Sequence, residues 1–204
     1  MPPSELVDLE LDAGELWGHP AVALGERVAS SALPEQAAAL VQQLVVGRLA
    51  TAADPDPLVA ETVRRLGPWR AGDVGSLWSS LSISERQLRR RCQAAIGVAP
   101  KMLQRVLRFQ GFLALVQFAL SRGLNPASDG LAALAADAGY ADQAHLTREC
   151  VRLTGVTPRT FLRQTAQACG CGHVHEPSFT PLLRWHWGQR RDGRFVQEPR
   201  SAGP

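Results

Sequence analysis

Arg86, Arg89 and Arg90 fall within five residues, and Gln93 follows one helical turn later. A guanidinium can bond guanine O6 and N7 together, or clamp a phosphate, so this cluster suits a polyanion. A second set lies further along the chain: Gln143, His145, Thr147 and Arg148. Gln can read adenine, Arg can read guanine, and Thr can touch a thymine methyl. A third set alternates metal-ligand types: Cys169, Cys171, His173 and His175. On an extended strand all four would share one face. Mixed thiolate and imidazole ligands suit zinc, copper or nickel. Structural zinc sites usually separate Cys pairs by two to four residues and draw ligands from two segments, so a tail with incidental Cys and His is the competing reading.

The first two sets need helices to carry them, and the pattern supplies two. Val74, Leu77, Trp78 and Leu81 follow the i, i+3, i+4, i+7 spacing of a buried helix face. Leu131, Leu134, Ala135 and Ala138 repeat it 57 residues later. Each set leads through a short turn to a capping residue, Ser84 and Asp142. Each cap opens a second amphipathic helix, with Leu88, Cys92 and Ala95 inward in one and Leu146, Cys150 and Leu153 inward in the other. Each of these helices stops at a glycine, Gly97 and Gly155, with Pro100 and Pro158 three residues on. From the caps onward the offset is 58, so the second turn holds one extra residue. A helix, a short turn and a capped helix are the sequence form of a helix-turn-helix, and two stand in tandem. Between them, Pro100 to Ser121 reads as one long linker helix.

On a helical wheel, Arg86 and Arg90 point away from the first buried stripe, with Arg89 and Gln93 beside them. Arg91 lies next to the stripe and suits a phosphate or a structural contact. Ala144 and Arg148 point outward on the second helix, flanked by His145 and Thr147, while Gln143 opens the first turn. Lys101, Arg105 and Arg108 on the linker helix are further candidates for the DNA backbone.

Charge follows the same division. The net charge of +3 splits into −5 over residues 1–72 and +8 over 73–204. Residues 84–108 alone carry seven basic residues and one acid. A helix so charged repels itself unless it meets phosphates. Four Cys in 204 residues do not make a disulfide scaffold. No apolar run reaches 18 residues, so no membrane span is expected. The acidic start lacks the regions of a signal peptide, and a cytoplasmic protein is the expectation.

The stretch Ser84-Glu-Arg-Gln-Leu-Arg-Arg-Arg-Cys resembles the first recognition helix of AraC/XylS-type transcriptional regulators. Gly139-Tyr-Ala-Asp-Gln-Ala-His-Leu-Thr-Arg-Glu-Cys, followed by Gly155-Val-Thr-Pro-Arg, resembles the second half-motif of that family. The resemblance implies an all-α domain of seven helices, with two helix-turn-helix units joined by a linker helix. It implies a non-enzymatic, sequence-specific regulator that binds double-stranded DNA over an operator of about two helical turns. RNA polymerase is then a second expected partner. Carried over by position, the base readers are Arg86, Arg89, Arg90, Gln143, His145, Thr147 and Arg148. Three departures stand out. Cys92 and Cys150 replace a usual aromatic, Ser82 replaces a usual turn glycine, and the region before the domain is short.

The expected organisation is a helical remnant of a regulatory or dimerisation region over 1–55, the DNA-binding domain over 56–166, and an irregular tail over 167–204. Within 14–53, two helices separated near Ser30–Pro34 are expected, and Asp56 should cap a helix beginning at Pro57. Two other functions compete. A metal-responsive regulator would sense through the tail cluster. A DNA-repair alkyl transferase would need an activated Cys, commonly in a Pro-Cys-His-Arg context that this sequence lacks, or a zinc-binding Cys cluster, for which only the tail is a candidate. If the tail is a sensor, zinc, copper or nickel should bind stoichiometrically and shift DNA affinity. Cys169→Ser combined with His175→Ala should abolish both effects, and unchanged stoichiometry and affinity in that variant would remove the site.

Overall fold

A computed structural model of the chain describes residues 2–67, 74–124 and 130–169. Among these residues the chain is a 3-10 turn, Pro3–Glu5, followed by ten α-helices and no strand. The helices are α1 (Ala13–Trp17), α2 (His19–Ala29), α3 (Pro34–Ala50), α4 (Pro57–Leu66) and α5 (Val74–Ser80). They continue as α6 (Glu85–Ile96), α7 (Pro100–Ser121), α8 (Leu131–Asp137), α9 (Gln143–Thr154) and α10 (Pro158–Cys169). The all-α reading therefore holds, with the linker helix at the bounds its prolines and periodicity set. No described helix is long and apolar enough to cross a membrane.

Local chemistry fixes most boundaries. The Asp56 carboxylate accepts from the Leu58 and Val59 N–H groups at 2.9 and 3.4 Å, and so caps α4. Ser84 Oγ accepts from the Gln87 N–H, and Gln87 Oε1 accepts from the Ser84 N–H, a reciprocal box at the start of α6. Asp142 accepts from the His145 N–H at 2.6 Å and caps α9. Pro34, Pro57, Pro100 and Pro158 each open a helix, where the missing N–H costs nothing.

Two small cores hold the tandem units. Val59, Leu66, Val74, Leu77, Leu88 and Cys92 form the first, with Ile96, Leu103 and Leu107 packed against it. Phe109, Phe112, Leu115, Val116, Leu131, Ala135, Leu146 and Cys150 belong to the second, with Phe161 and Leu162 alongside. Leu103 and Leu107 come from the first half of α7, and Phe109 begins the contribution of the rest. One helix therefore serves both cores. Phe109 meets Phe161 of α10 edge-on at 5.5 Å, which closes the second core from its far side.

The repeat extends to the turns. Ile83 donates its N–H to the Trp78 carbonyl at 3.0 Å, and Tyr140 donates to the Ala135 carbonyl at 2.9 Å. Both bonds span five residues back, as expected where a helix ends through a left-handed residue. That residue is Ser82 in the first unit, with φ of 55°, and Gly139 in the second, with φ of 78°.

Two expectations need correction. The helix expected before Ser30 is two helices, because the chain breaks at Gly18 and restarts with Pro20 in the first turn of α2. Ala95 is exposed instead of inward, and Ile96 packs on the first core. A single methyl does not reach the core from that position, whereas the longer neighbour does. The N-terminal region also touches the domain that follows residue 55. Pro3–Glu5 packs on the end of α6, and a Cβ at Gly97 would lie 2.6 Å from the Pro3 carbonyl oxygen. Gly97 also has φ of 79°, so it both stops α6 and admits the chain start.

Holding Ser82 in the left-handed region costs about 1 kcal/mol, partly offset in a glycine variant by the greater freedom of its unfolded chain. Ser82→Gly is expected to raise the unfolding free energy by about 0.5–1 kcal/mol in urea denaturation. A lower midpoint at unchanged slope would contradict this account of the turn.

Candidate nucleic-acid interface

α6 offers one long charged face because its buried side is narrow. Leu88 and Cys92 are 1% and 0% exposed, while Arg86, Arg89, Arg90 and Gln93 are all exposed. Among the described residues, no hydrogen bond, ion pair or ring contact holds Arg86, Arg89 or Arg90. Three guanidinium groups thus stand on one helix with their donor capacity unspent. Arg91 differs. It pairs with Asp56 at 2.7 Å and so ties α6 to the cap of α4, which makes it a structural contact. Burial pulls the Asp56 carboxyl up, but the Arg91 hydrogen bond and the two backbone N–H groups outweigh it and hold the pKa below its usual value.

α9 carries a less charged face of the same kind. Gln143, Ala144 and Arg148 are exposed, and His145 and Thr147 are half-buried. Arg148 has no intramolecular partner among the described residues. Thr147 Oγ1 donates back to the Gln143 carbonyl at 2.9 Å, leaving its methyl for apolar contact. His145 is held from two sides. Its Nδ1 accepts from the Ala141 N–H at 3.2 Å, and its ring stands edge-on to Tyr140 at 5.3 Å. With Nδ1 used as an acceptor, the neutral ring carries its proton on Nε2, which is then the donor.

The linker-helix candidates separate. Lys101 is exposed, and its Nζ donates to Gln104 Oε1 at 3.1 Å. Arg105, expected on the DNA backbone, spends its Nε on Glu149 of α9 at 2.5 Å, with both side chains largely buried. Arg108 is only 9% exposed and lies over the Tyr140 ring at 5.6 Å, so it belongs to the core and not to a surface. The sequence pattern offers Arg91 a structural contact but names neither Asp56 nor Glu149 as a partner. Arg91 and Glu149 are each the seventh residue after their caps, a signal that the repeat contained.

Cys92 and Cys150 are both fully buried, and burial raises both thiols above their usual pKa. That is the opposite of nucleophile activation, which needs a lowered pKa and access. Cys150 Sγ lies 3.6 Å from Thr154 Oγ1. Cys169 ends α10, whereas Cys171, His173 and His175 lie outside the described residues. Among the described residues, no group of three or more His, Cys, Asp or Glu could hold a metal ion.

A family model described as a helix-turn-helix domain matches residues 77–164. The match begins within α5 and ends within α10, so it takes in both capped helices and the whole of α7. Neither the curated proteins nor the solved structures give a match. Alkylation at pH 8 with peptide mapping should find Cys92 and Cys150 more than about tenfold slower than in the unfolded chain. Equal rates in the native and unfolded protein would contradict their burial.

Proposed function

We propose that residues 77–164, which a helix-turn-helix family model matches, form an AraC-type domain whose α6 and α9 read successive major-groove segments of one duplex. The domain is one that binds double-stranded DNA in transcription regulation. The observation that carries the finer reading is the pair of outward faces. Each capped helix projects arginine without an intramolecular partner among the described residues, Arg86, Arg89 and Arg90 on one and Arg148 on the other.

The division of labour follows from chemistry. Arg86, Arg89, Arg90 and Arg148 are suited to guanine edges, and Gln93 and Gln143 to adenine. The Thr147 methyl and Ala144 suit thymine methyls, and His145 Nε2 suits an acceptor on a base or phosphate. Lys101, exposed in the first turn of α7, is suited to a phosphate that sets position and not sequence. The 22 residues of α7 span about 33 Å. A single chain that carries two reading helices suits an operator of about two helical turns. RNA polymerase is the further partner such a regulator implies.

Arg90→Ala and Arg148→Ala are each expected to weaken binding to a selected site by about 1–3 kcal/mol and to relax one base position. Lys101→Ala should weaken all sequences alike and lower the salt dependence by about one charge. Quantitative footprinting at stated salt checks this. Unchanged affinity in both arginine variants would show that the reading faces are misassigned.

A further inference from the structure

The two recognition helices are held to the rest of the domain from the same register position. In α6 that position is Arg91, paired with Asp56 at the cap of α4. In α9 it is Glu149, paired with Arg105 of α7. The charges are reversed, so neither helix can take the other's anchor. The two pairs also differ in burial. Arg91 and Asp56 are 47% and 24% exposed, whereas Arg105 and Glu149 are 19% and 12% exposed.

The second anchor is broader. Glu149 Oε1 also faces Arg152 Nη1 at 3.4 Å, so cations from α7 and from α9 itself meet one carboxylate. Three residues after Arg105, on the same side of α7, Arg108 lies over Tyr140. Tyr140 in turn stands against His145 at the start of α9. α7 therefore grips α9 at its first turn through Arg108 and Tyr140, and at mid-helix through Arg105 and Glu149. Two grips along a helix fix its direction as well as its place. The first core meets α7 at Leu103 and Leu107, on either side of Arg105. The ion pair is thus the point where the second recognition helix is referenced to the first unit.

We propose that Glu149 and Arg105 are a positioning pair that sets the register of the second base-reading segment against the first. The proposal rests on the two-part reading above. Neither group needs to touch DNA for this role. A neutral residue at 149 leaves α9 packed through Leu146 and Cys150 but removes its angular restraint.

The test measures affinity for the full two-part site, for sites with one base pair added or removed between the parts, and for the first part alone. Wild type should lose at least about tenfold when the spacing changes. Glu149→Gln should bind the first part as wild type does and the full site about tenfold more weakly, with the spacing penalty reduced to about threefold or less. Glu149→Asp should recover part of that penalty. An intact spacing penalty in Glu149→Gln, or an equal loss on the first part alone, would overturn the proposal. If Glu149→Gln loses its helicity, the double variant Arg105→Gln, Glu149→Gln removes both charges, and its spacing penalty decides. A wild type that binds the full site no more tightly than the first part would refute the two-part reading itself, a distinct result that takes the register role with it.

Discussion

α7 is a structural member of both units, and that shared burial is the constraint on which the rest depends. Its residues pass from the first core at Leu107 to the second at Phe109. Neither core is large, and a fully buried Leu or Phe contributes only about 1.5–3 kcal/mol. Removing α7 from either unit would therefore cost that unit a large share of its apolar contacts. The two units consequently cannot tilt independently while both stay packed. A tandem reader needs this property, because the spacing of two reading faces is useful only when it is fixed.

Charge is distributed according to the same logic. Arg64 and Arg65 are spent on Glu61, whose carboxyl their hydrogen bonds hold down to about 2. Arg91 is spent on Asp56 and Arg105 on Glu149. The exposed pairs contribute little, because solvent screens them and two long side chains must be held in place. Breaking the more buried Arg105–Glu149 pair leaves an uncompensated charge, at a cost approaching about 3 kcal/mol. Among the described residues, the cations on the outward faces of α6 and α9 have no acidic partner. Their mutual repulsion is tolerable on a solvated helix and is relieved by phosphates. The structure thus separates arginines that build the domain from arginines that face outward.

Much of this was legible in the sequence because it is local. Periodicity, caps and the glycine–proline stops decide helices from neighbouring residues, and the repeat doubled the signal. Ala95 was misjudged because a wheel gives direction and not reach, and Ile96 reaches where Ala95 does not. The docking of Pro3–Glu5 on Gly97 joins residues more than ninety positions apart, which no local pattern encodes. Arg105 was read as a DNA contact for the same reason. Its partner Glu149 lies 44 residues away, and only the crossing of α9 on α7 brings them together. The sequence gives the cation, and only the fold shows the carboxylate beside it.

The central claim is that one chain presents two reading helices at a spacing fixed by α7. In-vitro selection of duplex sites with the purified chain, at stated salt, measures this most directly. The account predicts a two-part motif with about 10 bp between the centres of the parts. A motif with one part only, or two parts at freely varying separation, would contradict it.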